Sequence, residues 1–462
     1  MRVLLVIYDN DSYVSEFPIG TAHISAVLKK EKIDVEIYHQ DIHHYPCEHL
    51  TDYLNANRFD VIGIGVIAGY YQYKKLLELS KAINNSKNRP LYILGGHGPT
   101  PEPEFFLQQT GAEIVVLGEG EQSIINLLKS IANHTPLENV KGIAFRNNET
   151  VIINDRESLI KQIDDIPWPD YNSFPIEYYR LIRFPHANSS DFGMSMLSGR
   201  GCTFKCNFCY RMDTGLRLRS NDSIIEEIKY LQKEFRISYI AFYDELLMTS
   251  IDRTISLCSD FVKARLNIKW LCNGRLNYAR KDVLKLMKES GCVFINYGIE
   301  AMDDQILKNM NKALTTKQII SGIEATLEAG ISPGYNIIFG NIGETIDTLE
   351  KGVQFLLKYD DGAQLRTIRP VSPYPGSPLY YYAIQKGYLK NCEDFYHNKH
   401  INSDLLSVNF TQITDDEFHE ALMHANTRLI KNYYEKQMKL SINTTSSLYL
   451  DKNVSFRGFR HT

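Results

Sequence analysis

The sequence predicts an α/β chain of two unlike halves: an N-terminal doubly wound parallel sheet, then a partial (β/α)6 barrel and a mainly helical C-terminal region. Three observations carry this. Five short apolar strands alternate with amphipathic helices over residues 1–139, and six further βα units run from about 193 to 369. Glycines and small residues gather at the carboxyl ends of the first strands, where ligands of parallel sheets bind. Three cysteines follow the first strand of the second half, on the equivalent face. At 462 residues the chain is also too long for one ordinary core.

In the first half, strands are expected at 2–8 (RVLLVIY), 34–39 (DVEIYH), 61–66 (VIGIGV), 90–96 (PLYILGG) and 113–118 (EIVVLG). Helices are expected near 20–30, 71–86, 101–109 and 121–133. Short continuous apolar runs read as strands buried on both faces, and helical crossovers make them parallel. Their ends carry Gly63, Gly65, Ala68 and Gly69, then Gly95, Gly96 and His97 in GGHGPT, then Gly118, Glu119 and Gly120 in GEGE. Glycine there lets a large ligand approach the backbone; singly, each also reads as a turn residue. Residues 140–155 read as a hairpin about Asn147-Asn148. Residues 164–175, with three prolines, read as a linker laid across the surface. The expected divisions are 1–139, a hairpin and linker at 140–190, a barrel at 191–380 and a helical region at 381–462.

The barrel strands are expected near 193–198, 238–243, 268–272, 293–298, 334–339 and 363–369, with helices near 221–235, 250–265, 280–289, 315–329 and 344–358. Six units are too few to close the usual eight-stranded barrel, so an open one is expected. The C-terminal region reads as helical to about residue 439 and as the element that closes the barrel mouth. Acids at 415–417 and lysines near 439 suit a helix dipole. The polar stretch 441–453 reads as poorly ordered.

Composition narrows the function. Fifty-one Lys and Arg against 55 Asp and Glu leave a net charge of -4, which provides no basic field for nucleic acid. No apolar run approaches the roughly 18 residues of a membrane span. The opening MRVLLVIYDN reads as a strand, not a signal peptide. A cytoplasmic, reducing setting is expected, where thiols serve as ligands or core residues.

The segment LSGRGCTFKCNFCY (197–210) carries Cys202, Cys206 and Cys209 in a C-x3-C-x2-C spacing. There is no second C-x2-C knuckle for a zinc ribbon. Cys47, Cys258, Cys272, Cys292 and Cys392 are isolated, and Cys258, Cys272 and Cys292 sit in apolar patterns that read as core. Three thiolates can hold three irons of a [4Fe–4S] cube and leave the fourth open, which is useful when another molecule must bind the metal. Gly199, Gly201 and Asn207 favour a wrapped loop, and Arg200 and Lys205 bring positive charge.

This segment resembles the signature of the radical S-adenosylmethionine (SAM) superfamily, C-x3-C-x-aromatic-C, with Phe208 at the aromatic position. Further segments resemble the family's strand ends. YIAFYDELLM supplies Asp244 and Glu245; WLCNGRLN supplies Asn273 and Arg275. VFINYGIEAMDDQILKNMNKALT supplies Glu300, GYNIIFGNIGET supplies Asn336, and IRPVSPYPGSP supplies Arg369, expected to face the site. The resemblance implies that Cys202, Cys206 and Cys209 hold a [4Fe–4S] cluster, that SAM chelates its open iron, and that these other residues position SAM. An electron from the cluster then splits SAM, and the resulting 5′-deoxyadenosyl radical abstracts hydrogen from an unactivated carbon. Taken residue by residue, Asp244 and Glu245 also read as a helix N-terminal pair, and Glu300 as a helix cap.

LGGHGPTPEPEFFL (94–107) and VVLGEGEQSIINLL (115–128) resemble the B12-binding domain of the large radical SAM group that carries one. The first half is then a Rossmann-like domain of the cobalamin-binding type, holding cobalamin over Gly65, Ala68, Gly95, Gly96, His97, Gly118, Glu119 and Gly120. One departure stands out. DIHHYPC has Asp41 and His43 of a D-x-H-x-x-G cobalt-ligand motif, but Pro46 replaces its glycine. His97 is therefore expected to pack against the corrin rather than to ligate cobalt. The resemblance implies a cobalamin-dependent methyltransferase, with a small-molecule or biosynthetic-intermediate substrate and an electron donor such as flavodoxin or ferredoxin. Cyclisation, rearrangement or sulfur insertion without methyl transfer, and a cluster-bearing sensor, are the other readings.

Overall fold

The first strand, β1 (Arg2–Ile7), is buried along almost its whole length because its alternate side chains enter two different cores. Leu4 and Val6 pack with Leu50, Leu54, Leu76 and Phe106 on one side; Val3 and Leu5 pack with Val27, Leu28, Leu127 and Leu128 on the other. That two-sided demand places helices on both faces of the sheet. The computed structural model describes residues 1–450. In it, β2 (Asp34–His39), β1, β3 (Val61–Gly65), β4 (Leu91–Gly95) and β5 (Ile114–Val116) lie parallel in the order 2-1-3-4-5. The helices Ile19–Lys30, Tyr70–Asn84, Pro103–Thr110 and Gly120–Ala132 fall where the sequence put them.

Three features of this half differ from expectation. The hairpin of β6 (Ile143–Asn147) and β7 (Thr150–Ile153) pairs antiparallel with β5, so it extends the first sheet instead of connecting it onward. Helices at Gln40–His43 and Cys47–Ala56 were not predicted; the second buries only Leu50 and Leu54, too few apolar positions to show a period. The proline-bearing linker is not superficial: Ile163, Ile166, Tyr171, Phe174, Ile176 and Tyr179 are all buried. Tyr171 donates to Glu227 of the barrel at 2.6 Å, and Tyr179 donates to Asp41 of the first domain at 2.8 Å. The linker is the mortar between the two halves.

The second sheet holds β8 (Gly193–Met196), which leads into a small separate hairpin of β9 (Gly199–Gly201) and β10 (Leu216–Leu218). It continues with β11 (Tyr239–Phe242), β12 (Lys269–Gly274), β13 (Cys292–Glu300), β14 (Ser332–Phe339) and β15 (Arg369–Pro370). These six strands run parallel in the order 8-11-12-13-14-15 and form an open, curled half-barrel. Met196, Phe242, Cys272, Ile295, Tyr297 and Ile337 face outward into the core shared with the surrounding helices. Tyr239, Ala241, Leu271 and Phe294 form a separate small cluster on the inner face. Cys258, Cys272 and Cys292 are fully buried core residues, as expected.

The sixth strand is only two residues long, shorter than the predicted 363–369. The Asn426 side chain accepts from Ile368 N at 2.8 Å and donates to Ile368 O at 2.9 Å, occupying the backbone groups that a longer strand would pair. Asn426 belongs to the helix Asp415–Leu450, which runs well past the expected end at 439. Residues 441–450 are helical, and 451–453 of the tail lie outside the described residues. Phe418, Leu422, Ala425 and Leu429 form this helix's buried stripe, and Phe418 stacks on Phe339 at 4.7 Å. It packs on the helix Ile346–Tyr359 and meets the carboxyl end of β14 through Phe418. Residues 378–410 turn back to the first domain, where Tyr396 packs on Tyr73 at 4.5 Å and on Phe105 at 5.8 Å. Among the described residues no helix is long and apolar enough to cross a membrane.

Asp41 gives the linker contact a pH dependence. Burial pushes its carboxyl up to about 6, against the pull of the Tyr179 hydroxyl. The folded chain therefore keeps a proton that the unfolded chain has lost above its ordinary value near 4. Wild type should lose thermal stability relative to Asp41→Asn as pH rises from about 4 to about 6, measured by melting at fixed ionic strength.

Candidate active site

The cysteine loop begins with a fixed point. Asp244, at the end of β11, accepts from Ser198 N at 2.9 Å and from Ser198 Oγ at 3.1 Å, buried from water. Burial pushes the Asp244 carboxyl up to about 7, opposed by those same bonds. The β9–β10 hairpin then closes the base of the loop, pairing Gly201 with Leu216 and Gly199 with Leu218. Gly201 has φ 89°, and a Cβ there would collide with the Gly215 carbonyl. The far end of the loop is pinned by Asn207. Its N–H donates to Met310 O at 2.9 Å, its carbonyl accepts from Leu379 N at 2.8 Å, and its amide exchanges two bonds with Asn341.

On this frame Cys206 is buried, Cys202 half-buried and Cys209 exposed, all as thiols. Burial of its sulfur, although the residue as a whole is exposed, and the neighbouring thiols of Cys206 and Cys202 push the Cys209 thiol up to about 11. Burial likewise raises Cys206, while Lys312 and Arg275 pull it down. Three thiols on one short loop, beside the cations Lys312 and Arg275, suit a group that takes up thiolates. Among the described residues, no three His, Cys, Asp or Glu side chains could hold one metal ion together. A [4Fe–4S] cube binds each thiolate on a different iron, so its ligands need not converge on a point. The residues present fit the cube and not a mononuclear site.

The other strand-end residues divide. Asn273 donates to Asp244 O at 2.8 Å and accepts from Asn296 at 3.1 Å. Glu245 accepts from Gly201 N at 2.8 Å. Arg275 lies 3.4 Å over the Phe204 ring and donates to the carbonyls of Lys312 and Ala313. Glu300, at φ 70°, pairs with Lys312 at 2.7 Å, both side chains under 10% exposed. Gly298 leaves the space for that pair; a Cβ there would lie 2.7 Å from Lys312 Nζ. Phe208 is half-buried between two cores, with Lys312 Nζ 5.9 Å from its ring. These residues surround the cysteine loop, but the Asp244 carboxylate is spent on Ser198. It braces the loop. Arg369 does not face the interior: it is exposed and paired with Asp404 at 2.9 Å on the rim. Sequence reasoning missed Lys312, Asn296 and Arg366. Asn296 was legible in principle, because it alternates with the inward Phe294 along β13.

The first domain meets this loop with its strand ends. His97 is exposed and stands edge-on to Tyr210, with ring centroids 6.2 Å apart, next to Cys209. Gly96 has φ 96°, and a Cβ on it would lie 2.6 Å from Val66 O. Gly65 is exposed, and Ala68, Gly95 and Gly120 are half-buried, so these ends carry little side-chain bulk, which fits a flat, wide ligand laid over them. Buried Gly118 stands apart, since a Cβ there would lie 2.8 Å from the Arg156 guanidinium. Glu119, expected at the corrin, is taken by two arginines. It pairs with Arg200 at 3.0 Å and with Arg217, and Arg200 also reaches Glu121 at 2.6 Å. Asp41 lies in the interdomain core, and His43 is exposed against Tyr45, consistent with the absent cobalt-ligand motif.

The comparisons with known proteins agree with this arrangement. The Radical SAM superfamily model matches residues 196–356, and the B12 binding domain model matches residues 7–128. The chain is 28% identical over 401 residues to the uncharacterized methyltransferase PH0819 of Pyrococcus horikoshii, covering 84% of each. It is 26% identical to the anaerobic magnesium-protoporphyrin IX monomethyl ester cyclase of Rubrivivax gelatinosus, covering 70% of this chain and 58% of the cyclase. Among solved structures, the radical SAM methyltransferase TsrM from Kitasatospora setae, with cobalamin and a [4Fe-4S] cluster bound, superposes with a TM-score of 0.68 at 16% identity, over 83% of this chain and 75% of that one. The cobalamin-dependent enzyme OxsB gives 0.66 at 20% identity, this chain spanning 55% of its length. Residues 196–356 thus match a radical SAM domain, and residues 7–128 ahead of it match a B12 binding domain. The radical SAM domain implies a [4Fe–4S] cluster and SAM, and the B12 binding domain implies cobalamin.

Replacing Glu119 with Gln leaves Arg217 without its carboxylate in a site where each side chain is 14% exposed. Removing one partner of a buried pair costs about 3 kcal/mol. Denaturant melts should show a loss of that order, with a smaller further loss when Arg217→Gln is added, because the second change removes the stranded charge.

Proposed function

We propose that the protein is a methyltransferase that uses SAM and cobalamin to methylate an unactivated carbon of a small molecule. The observation that supports this best is the three-thiol loop at the carboxyl end of a half-barrel, held against the strand ends of a B12-binding domain. Cys202, Cys206 and Cys209 would hold the cluster. Gly65, Ala68, Gly95, Gly96 and His97, with Gly118 and Gly120 at the margin, would receive the corrin. When bound, the cluster supplies the electron that splits SAM, and cobalamin supplies a transferable methyl group.

The chain's own residues bind, orient and exclude water. Glu245, Asn273, Arg275 and Glu300 surround the loop and would take the polar groups of SAM, with Phe208 packing beside its adenine; Asn336, expected with them, lies beside Arg366 instead. Asp244 and Asn207 hold the loop at its two ends, so the reacting parts are aligned before substrate enters. Residues 378–410 and the interdomain linker seal the space between the halves. A cytoplasmic setting and a flavodoxin- or ferredoxin-type electron donor complete the reading. A second reading, radical chemistry without methyl transfer, rests on the identity to the cyclase; cobalamin binding alone does not separate the two, and product analysis does.

Anaerobic reconstitution should give about four irons per chain and an EPR signal that changes when SAM is added. Cys206→Ala should lose the signal and SAM cleavage while still retaining a corrin absorption band. Cleavage that survives this substitution, or a cluster indifferent to SAM, overturns the proposal.

A further inference from the structure

The inner face of the half-barrel carries a cation that forms no ion pair among the described residues: the nearest carboxylate, Asp361, accepts from Ser332 instead. Phe294, Asn296 and Asn336 point inward, since their odd-step neighbours Ile295, Tyr297, Tyr335 and Ile337 all lie in the outer core. Arg366 comes from the loop before β15 and extends over this face. Its guanidinium lies 5.7 Å from the Phe294 ring, with one nitrogen 3.4 Å from Asn296 Oδ1 and another 3.4 Å from Asn336 Oδ1. Both bonds are long for N–H···O contacts. Among the described residues no carboxylate comes within 4.0 Å of it. Of the other inner cations, Lys312 pairs with Glu300, and Arg275 donates through one nitrogen to two carbonyls while its Nε, without a partner, lies by the cysteine loop.

The space around Arg366 is maintained. Gly334 lies beneath it, and a Cβ there would sit 2.5 Å from Arg366 Nη2 and 2.6 Å from Asn296 Oδ1. The loop that carries Arg366 is tied down by the C-terminal helix. Asn426 grips Ile368, Gln437 donates to Gly362 O at 2.7 Å, and Lys436 pairs with Asp360 at 3.0 Å. A half-buried guanidinium with weak amide partners, on a loop fixed from outside, is organised to receive a planar or tetrahedral anion in a fork of N–H donors.

We propose that Arg366, with Asn296 and Asn336 beside it, is the subsite for an anionic group, carboxylate or phosphate, of the substrate. This rests on the function proposed above and gives its substrate a chemical class. Asn296 pairs with Gly334 and, past a bulge, Glu300 pairs with Ile337, so the Asn296 backbone lies three residues, about 10 Å, deeper in the barrel than that of Glu300, with Asn273 bonded above it. A group held by Arg366 is thus beyond the layer of Glu300, Lys312 and Arg275, on the side away from the cysteine loop. That position favours the substrate over the methionine carboxylate of SAM as the source of the anion.

The test uses the full chain, with inorganic phosphate and benzoate as probes in a melting-temperature titration, and SAM affinity measured calorimetrically after reconstitution. Either probe should stabilise the wild type. Arg366→Gln should weaken that effect about tenfold or more, Arg366→Lys less, and Gly334→Ala, which displaces the guanidinium without removing it, should resemble Arg366→Gln. SAM affinity should change less than about twofold in all three. A tenfold loss of SAM affinity in Arg366→Gln assigns the anion to SAM and overturns the proposal. Equal probe responses in wild type and Arg366→Gln overturn it too. The titration is also read before the cluster is loaded, so failure of the radical SAM reading, seen as no cluster and no cleavage, is separable from failure of this one.

Discussion

The loop that carries the three thiols is held from the far side by charges on the other domain. Arg200 stands two residues before Cys202, and its guanidinium is divided between Glu119 and Glu121; Arg217, on the returning strand of the hairpin, shares Glu119. Every side chain in this group is 16% exposed or less. Burial by itself disfavours the Glu121 carboxylate, but Arg200 beside it more than reverses this and holds it below the usual range. Charges this deep are stable only in one another's company. Parting the two domains would strand four of them, so the geometry of the cysteine loop and the docking of the domains are one constraint. The GEGE segment, which looks like a ligand-binding turn, serves in large part as the anchor of that constraint.

The half-barrel separates its tasks by strand parity. Outward residues such as Phe242, Ile295 and Phe339 build the core with the helices; inward residues are apolar at the base, amide-rich in the middle and charged near the cysteine loop. Polar groups near the loop are mutually satisfied, as in the Glu300–Lys312 pair, whereas the middle layer keeps donors in reserve. The long C-terminal helix contributes by fixing the edge. Asn426 stands in for a strand partner at Ile368, so β15 does not begin before Arg369 and the Arg366 loop is left available to enter the interior.

Much of this was legible from residue pattern. Buried runs of five or six residues located the strands of the first sheet within one or two positions, because a strand covered on both faces has no polar side to blur the signal. The cysteine spacing identified the loop, since three soft ligands so close in sequence have few other uses in a reducing setting. The helix Cys47–Ala56 was hidden because it buries only Leu50 and Leu54. The linker was misread as superficial because prolines mark a break in helix or strand but say nothing about burial; Tyr171, Phe174 and Tyr179 were the residues to weigh.

By itself the sequence determined the strand–helix alternation, the open six-unit barrel and the three-thiol loop proposed to hold the cluster. All of these follow from local periodicity or from ligands on one short segment. Tertiary structure alone decided which polar groups remain available. Asp244 turned out to brace Ser198, Glu119 to hold two arginines and Arg369 to sit on the rim, while Arg366 took the interior. Whether a charged side chain is spent or free depends on the partner that folding brings beside it. Those partners lie 46 residues away for Asp244 and 81 and 98 for Glu119, beyond the reach of any local pattern.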